Sequence, residues 1–385
     1  MTMPRTEPTA TVESLPAVAA DSSVGLPSMA SLATSDAFIV HEDEPCNLES
    51  RVAALRDGIV PTERFYIRNH FPEPDIDLAS WRLRVEGAVD RSIDLTYDEL
   101  IGMPARAQIA MLECAGNGRA FLDPKEPGAQ WAVGAAGNAE WTGVPLNAVL
   151  ERAGLAPNAV TVILEGADRG TVEGDPASPG DICYARSLPV AKACRDEVLI
   201  AYRMNGAPLN RAHGFPARVV VPGWYGMASV KWLTRVVVTD RPFLGFFESV
   251  HYTRWERPHG APTLCPLTEM HVKSVILDPE PNGTVPAGTP FTISGLAWTG
   301  TGTIQQVEVS VDNGRTWDAA RLTSPATEYT WRRWEYDWAA PAAGRCQLIA
   351  RATDTAGRTQ PLDRDTDRRN YEITHAVVIP VTVQP

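Results

Sequence analysis

Three short stretches concentrate side chains able to do chemistry. The first is MLECAGNGRA (residues 111–120), where Cys114 ends an apolar run, a Gly-Asn-Gly turn follows, and Arg119 comes five positions after the thiol. An arbitrary free cysteine is most often a small buried hydrophobe. Here the loop position favours function, and a fixed positive charge nearby favours a thiolate, which serves as a nucleophile or as a soft-metal ligand. A nucleophile needs a base; His70, His213, His251 and His259 are candidates, and spacing sets none of them beside Cys114. Zinc needs further Cys or His at metal spacing, and none occurs. A metal that takes a single protein ligand, with a cofactor supplying the others, fits better.

The second stretch is FYIRNH (residues 65–70), whose ordinary reading is a surface loop with a solvated arginine. The third runs from His213 through Arg218 to Lys231, HGFPARVVVPGWYGMASVK. Its glycines and prolines flank basic residues, an arrangement that can bring backbone N–H groups and cations around a phosphate. Its alternative is a set of turns between strands with Arg218 and Lys231 in solvent.

These stretches sit in an acidic chain. Of 385 residues, 47 are Asp or Glu against 35 Lys or Arg, a formal charge of −12, which argues against a nucleic-acid or anionic-membrane partner. Arginines clustered against that background are the more informative. Six cysteines are spread without CxxC or haem-attachment spacing, as in reduced proteins. No apolar run approaches the roughly 18 residues needed to span a bilayer. Residues 1–36, rich in Ala, Ser, Thr and Pro, read as a disordered tail. They lack a secretory h-region and a twin-arginine pair, so a cytoplasmic location is expected.

The elements that must position these groups follow from local pattern. Trp81–Gly87 alternates as a half-buried strand, and Thr96-Tyr-Asp-Glu99 is a capping box opening a short helix. Pro145 to Gly154 carries helix start and stop signals. Val198–Met204 reads as a strand entering an Asn205-Gly206 turn, with further strands at Arg218–Val221 and Val230–Val238. Residues 37–265 thus predict an α+β domain. From residue 266 to 385 the texture becomes short alternating runs (291–298, 306–311, 346–352) separated by turns such as Asp312-Asn-Gly314. That rhythm predicts an all-β immunoglobulin-like sandwich.

Taken together, ECAGNGR, FYIRNH, MNGAPLNRAHGFPARVVVPG and VKWL, in this order, resemble the sulfite oxidase family of molybdenum enzymes, which also includes nitrate reductases. The resemblance runs from about residue 45 to the C-terminus, and the second domain matches the family's immunoglobulin-like dimerisation domain, implying a homodimer. By this resemblance Cys114 is the protein ligand to molybdenum, and a molybdopterin supplies the other sulfurs. The positions matching those that hold the pterin and its phosphate are Tyr66, Ile67, Arg68, Asn69, His70, Asp168, His213, Arg218, Ser229, Val230 and Lys231. Ser229 stands where the animal enzymes have histidine. Arg68 and Arg119 match the arginines of the anion pocket, whose planar guanidinium fork lysine cannot copy. Trp131 matches the tryptophan walling that pocket, and Tyr252 the tyrosine beside the metal.

One family arginine, late in the C-terminal domain, has no clear counterpart; Arg368 and Arg369 are candidates, and its loss leaves room for another oxyanion or a thio-compound. No haem or flavin module is visible in the sequence, so electrons are expected to pass to an external acceptor such as cytochrome c. The implied activity is oxidation of sulfite, a small oxyanion, to sulfate by oxygen-atom transfer. The alternatives are reduction of nitrate or another oxo-substrate, and a cofactor-free binding protein on the same scaffold.

Overall fold

The computed structural model describes residues 37–339 and 341–385. The tail predicted for residues 1–36 lies outside the described residues. The first part of the chain is more strongly β than the α+β expectation. Among the described residues only one α-helix, Leu146–Ala153, reaches eight residues. It starts directly after Pro145, buries Leu146, Val149, Leu150 and Ala153 at helical spacing, and ends at Gly154 with φ 76°. The helix Tyr97–Ile101 carries the expected capping box: Glu99 N–H donates to Thr96 Oγ1 at 3.1 Å, and Thr96 N–H donates to Glu99 Oε2 at 2.9 Å.

Two five-stranded sheets form the body of this part. In one, Arg106–Glu113 pairs antiparallel with Ala136–Pro145, which pairs with Leu199–Met204. The last strand turns through Asn205 and Gly206, both at positive φ (52° and 79°), into Ala207–Pro208, and also pairs with Arg218–Val220. In the other sheet Leu233–Thr239 lies between Leu83–Gly87, parallel, and Thr161–Gly170, antiparallel. Phe38–Glu42, Asn47–Ser50 and Ile67–Arg68 form a separate three-stranded sheet. The strand predicted from Val230 begins only at Leu233. Trp232 sits at φ 50°, which breaks the extended ladder and leaves Ser229–Trp232 as a bend.

Beyond residue 270 the expected alternation produces two sheets with a shared core, antiparallel except where Thr284–Pro286 runs parallel to Ile379–Gln384 at one edge. One contains Lys273–Asp278, Phe291–Trp298 and Arg332–Trp338; the other contains Ile304–Ser310, Gly344–Asp354 and Ile379–Gln384. Ile276, Ile293 and Trp334 from the first meet Val307, Leu348, Ala350 and Val381 from the second. The apolar core of the first part continues into this region through Val275, Leu296, Trp298 and Trp331.

A buried polar cluster lies within that continuous core. Glu113 and Lys273 are both nearly inaccessible, and Lys273 Nζ lies 2.9 Å from Glu113 Oε1. Lys273 also donates to Asn117 O at 2.7 Å, and Trp298 Nε1 donates to Glu113 Oε2 at 2.9 Å. Asn117 Nδ2 adds a donor at 3.2 Å. Removing one partner of a buried, hydrogen-bonded ion pair strands the other charge and costs about 3–5 kcal/mol. Lys273→Met should therefore lower the denaturation midpoint sharply, and pairing it with Glu113→Gln should recover much of the loss. Equal costs for Lys273→Met with and without Glu113→Gln, measured by urea unfolding, would show that the charges are not coupled.

Candidate active site

The strand Arg106–Glu113 delivers Cys114 to the junction of two adjoining cavities. An inner pocket is lined by residues 65–70, Leu112, Asp168, Tyr184, His213, Arg218, Met227, Ser229 and Lys231. An outer cavity of about 500 Å3 is lined by Arg119, Trp131, Val250, His251 and residues 173–176 and 369–371. Arg68, His70, Cys114 and Tyr252 line both. The thiol thus stands between a deep, cation-lined recess and a wider chamber.

The turn after Cys114 is pinned at several points. Cys114 N–H donates to Ala135 O at 2.8 Å, Asn117 N–H donates to Cys114 O at 2.9 Å, and Ala135 N–H donates to Asn117 Oδ1 at 3.2 Å. Gly118, at φ 100°, supplies a left-handed conformation that side chains disfavour. Gly116 is needed for space, because a Cβ there would lie 2.5 Å from Arg119 Nη2. Buried Arg119 spends three donors on backbone carbonyls: Nε and Nη2 reach Asn370 O at 3.0 and 2.8 Å, and Nη1 reaches Ala129 O at 2.8 Å. Guanidinium carries five N–H donors, so two remain for a ligand.

The inner pocket gathers nearly every residue that the sequence set out as cofactor-binding. Tyr66, Ile67, Arg68, Asn69, His70, Asp168, His213, Arg218, Ser229 and Lys231 all line it. Val230 is the exception: its side chain is buried outside the pocket, and its carbonyl accepts from Val219 N–H at 2.8 Å. Buried Arg218 donates to His213 O at 3.1 Å and Ser229 O at 2.9 Å, with its guanidinium 5.1 Å from the Trp141 ring centre. Lys231 donates to Ala212 O at 2.8 Å and to Asn69 Oδ1. Burial lowers the Lys231 pKa and raises that of Asp168, each restrained by the charge of the other. Burial, reinforced by Lys231 and Arg218, pushes His213 down to about 3, so its ring is neutral at ordinary pH.

Burial and the Arg68 charge likewise keep His70 well below its usual range. Arg68 Nη2 lies 3.1 Å from His70 Nδ1, and Tyr252 Oη lies 2.7 Å from His70 Nε2. With Nδ1 accepting from the guanidinium, the neutral ring carries its proton on Nε2 and donates it to the Tyr252 oxygen. The phenol hydrogen then remains available elsewhere. Asp168 Oδ1 is buried at the pocket with no hydrogen-bond partner among the described residues. An unpaired acceptor beside buried cations suits a polar, anionic group that brings its own donors. A molybdopterin, with a charged phosphate and an N–H-bearing pterin, has that character.

Outside the thiol, three guanidinium-bearing residues face the larger chamber: Arg68, Arg119 and Arg369. Arg369 donates to Val250 O at 3.2 Å and to Thr253 Oγ1. Arg368 turns away, with Nη1 2.8 Å from buried Glu372. Trp131, fully buried, walls the chamber, its ring set 4.5 Å from that of His41. Tyr184 and Tyr371 are site residues that sequence reasoning missed, and Arg186 stands just behind the site. Tyr184 stacks on His70 at 5.3 Å, and Arg186, wholly buried, donates to Phe247 O and, at 2.9 Å, to Leu267 O behind Tyr252. A tyrosine and an arginine alternating along Ile182–Pro189 are the only local hint of an inward polar face.

Lys231→Met is expected to purify folded, with native circular dichroism, and to lose most of its bound molybdenum. Metal analysis showing wild-type content would remove Lys231 from the anion cradle.

Residues 70–247 match the oxidoreductase molybdopterin binding domain, and residues 265–370 match the Mo-co oxidoreductase dimerisation domain. The chain is 35% identical over 342 residues to sulfite oxidase of Gallus gallus, covering 84% of this chain and 72% of that protein. It is 36% identical over 350 residues to the mitochondrial sulfite oxidase of Homo sapiens, of which it spans 62%. The solved structure of the sulfane dehydrogenase SoxCD from Paracoccus pantotrophus superposes with a TM-score of 0.78 at 28% identity, over 97% of this chain and 96% of that one. A cysteine thiol between a cation-lined recess and an arginine-lined chamber, carried on these two matched domains, marks a molybdopterin-dependent enzyme: the chain belongs to the sulfite oxidase family.

Proposed function

We propose that this chain oxidises sulfite: sulfite and water yield sulfate, two protons and two electrons, and the electrons leave to a separate one-electron acceptor such as a cytochrome c. The observation that carries this reading is the convergence of Arg68, Arg119 and Arg369 on the chamber that ends at Cys114, in a chain of net charge −12. Bound molybdenum supplies the two-electron and oxygen-transfer chemistry, with Cys114 as its protein ligand. Arg68, Arg119 and Arg369 hold the anion in a setting where desolvated guanidinium donors count for more than in water. Trp131 limits the chamber, and the free phenol hydrogen of Tyr252 serves the reacting oxygen. In the recess Tyr66, Ile67, Asn69, His70, Asp168, His213, Arg218, Ser229 and Lys231 hold the pterin and its phosphate.

We further infer a catalytic unit over residues 37–265 and an immunoglobulin-like unit over 266–385 that makes a homodimer. The two sheets sharing one core and the dimerisation-domain match support this.

A second reading has one specific support. The outer chamber, at about 500 Å3, is far larger than a bare oxyanion, and a sulfane dehydrogenase is among the similar structures. A sulfane-bearing anion such as thiosulfate is the substrate class it favours.

Sulfite-dependent reduction of an artificial acceptor, set against thiosulfate-dependent reduction and nitrate consumption with a reduced dye, separates these activities. Sulfite is expected to dominate; molybdenum-loaded protein inactive with sulfite but active with nitrate would overturn the proposal. Protein that takes up no molybdenum in a cofactor-competent host would favour the binding-protein alternative. Cys114→Ser should bring turnover to background with the fold retained. Arg119→Gln should raise the sulfite KM by about tenfold to a hundredfold, the value of a hydrogen bond to a charged group; an unchanged KM would place the anion elsewhere.

A further inference from the structure

Late in the chain, residues 369–372 cross the rim of the outer chamber as a strap, held on both sides of Tyr371. On one side Arg119 takes Asn370 O with two donors, at 3.0 and 2.8 Å. On the other, Glu372 N–H donates to Ala115 O at 2.7 Å. The buried Glu372 carboxylate is locked in turn by Arg254 at 3.1 Å, Arg368 at 2.8 Å and His271 at 3.3 Å. Arg369 and Glu372 adopt positive φ of 57° and 47°, a backbone setting that non-glycine residues keep only where their surroundings enforce it. A backbone so anchored presents Tyr371 in one place.

That place is the chamber wall beside Tyr252. The two tyrosine rings lie 5.0 Å apart at 42°, and the Arg119 guanidinium carbon lies 5.5 Å from the Tyr371 ring centre. Among the described residues the Tyr371 hydroxyl has no hydrogen-bond partner, although its ring lines the cavity beside Arg68, Arg119 and Cys114. Burial raises its pKa, so the phenol remains a donor across the working pH range. A protonated donor without a protein acceptor, set among cations facing a ligand chamber, is matched by an anionic oxygen or sulfur.

We propose that Tyr371 is a substrate-contacting residue: its hydroxyl donates to the bound anion, and its ring, packed beside that of Tyr252 on the chamber wall, sets how large a sulfur anion reaches the thiol end of the chamber. This inference rests on the proposed oxidation of a sulfur oxyanion. It assigns selectivity between sulfite and a sulfane-bearing anion to a side chain contributed from beyond residue 265.

The test uses the molybdenum-loaded protein and its Tyr371→Phe and Tyr371→Ala variants, each checked for metal content and circular dichroism. Steady-state kinetics with sulfite and with thiosulfate are measured alongside the Kd for sulfate by calorimetry. Loss of the hydroxyl in Tyr371→Phe should raise both the sulfite KM and the sulfate Kd by about tenfold, with kcat and metal content near wild type. Tyr371→Ala should in addition raise the thiosulfate-to-sulfite ratio of kcat/KM. Unchanged KM and Kd in Tyr371→Phe would overturn the contact. If Tyr371→Ala does not fold, Tyr371→Phe still decides. Wild-type protein without sulfite turnover would sink the proposed function, and the sulfate Kd would still test Tyr371.

Discussion

The site depends on one buried carboxylate. Glu113 ends the strand that delivers Cys114, and it accepts from Lys273, Trp298 and Asn117 in a water-poor core. Asn117 then reaches back to Ala135, whose carbonyl holds Cys114 N–H. A metal–thiolate bond requires the sulfur at a fixed place, and a Gly-containing turn cannot fix it alone. Here the fixing comes from charge: neither Glu113 nor Lys273 tolerates burial without the other. Because Lys273 and Trp298 lie beyond residue 265, packing of the later sheets is coupled to the geometry of the thiol turn. The later part is therefore structural support for the site as well as a dimerisation unit.

The same logic extends outward. Arg119 is fixed by the carbonyls of Asn370 and Ala129, and the strap carrying Asn370 is fixed by Glu372 and its neighbours Arg254 and Arg368. Each arginine of the chamber is held by backbone or side-chain acceptors and keeps donors in reserve. Cations so gathered repel one another, and a bound anion relieves that repulsion. In the recess, neutral His213 and His70 supply polarity without adding to it.

Where local pattern and local structure agree, the reason is that the signal lies within a few residues. The Thr96–Glu99 capping box, the Pro145-to-Gly154 helix and the Asn205-Gly206 turn are all set by side chain–backbone chemistry or by φ preference. The strand expected from Val230 starts three residues later, at Leu233, because an apolar run does not announce that Trp232 takes a positive φ. Val230 lies within a motif and yet packs into the core, because the Ser229–Trp232 bend turns Ser229 and Lys231, but not Val230, to the recess.

By itself the sequence determined the residues of the two short contiguous blocks: a thiol ending a strand, an arginine one turn later, and the Tyr66–His70 run. Their chemistry is carried by residue type and close spacing. Only the tertiary structure decided which distant groups complete them. Arg119 meets a carbonyl 251 positions away, and His70 meets Tyr252 across 182. It also settled Arg369 on the chamber and turned Arg368 to Glu372, although the two are adjacent and chemically identical. Backbone direction separates them, and that direction comes from long-range anchoring that no local pattern encodes.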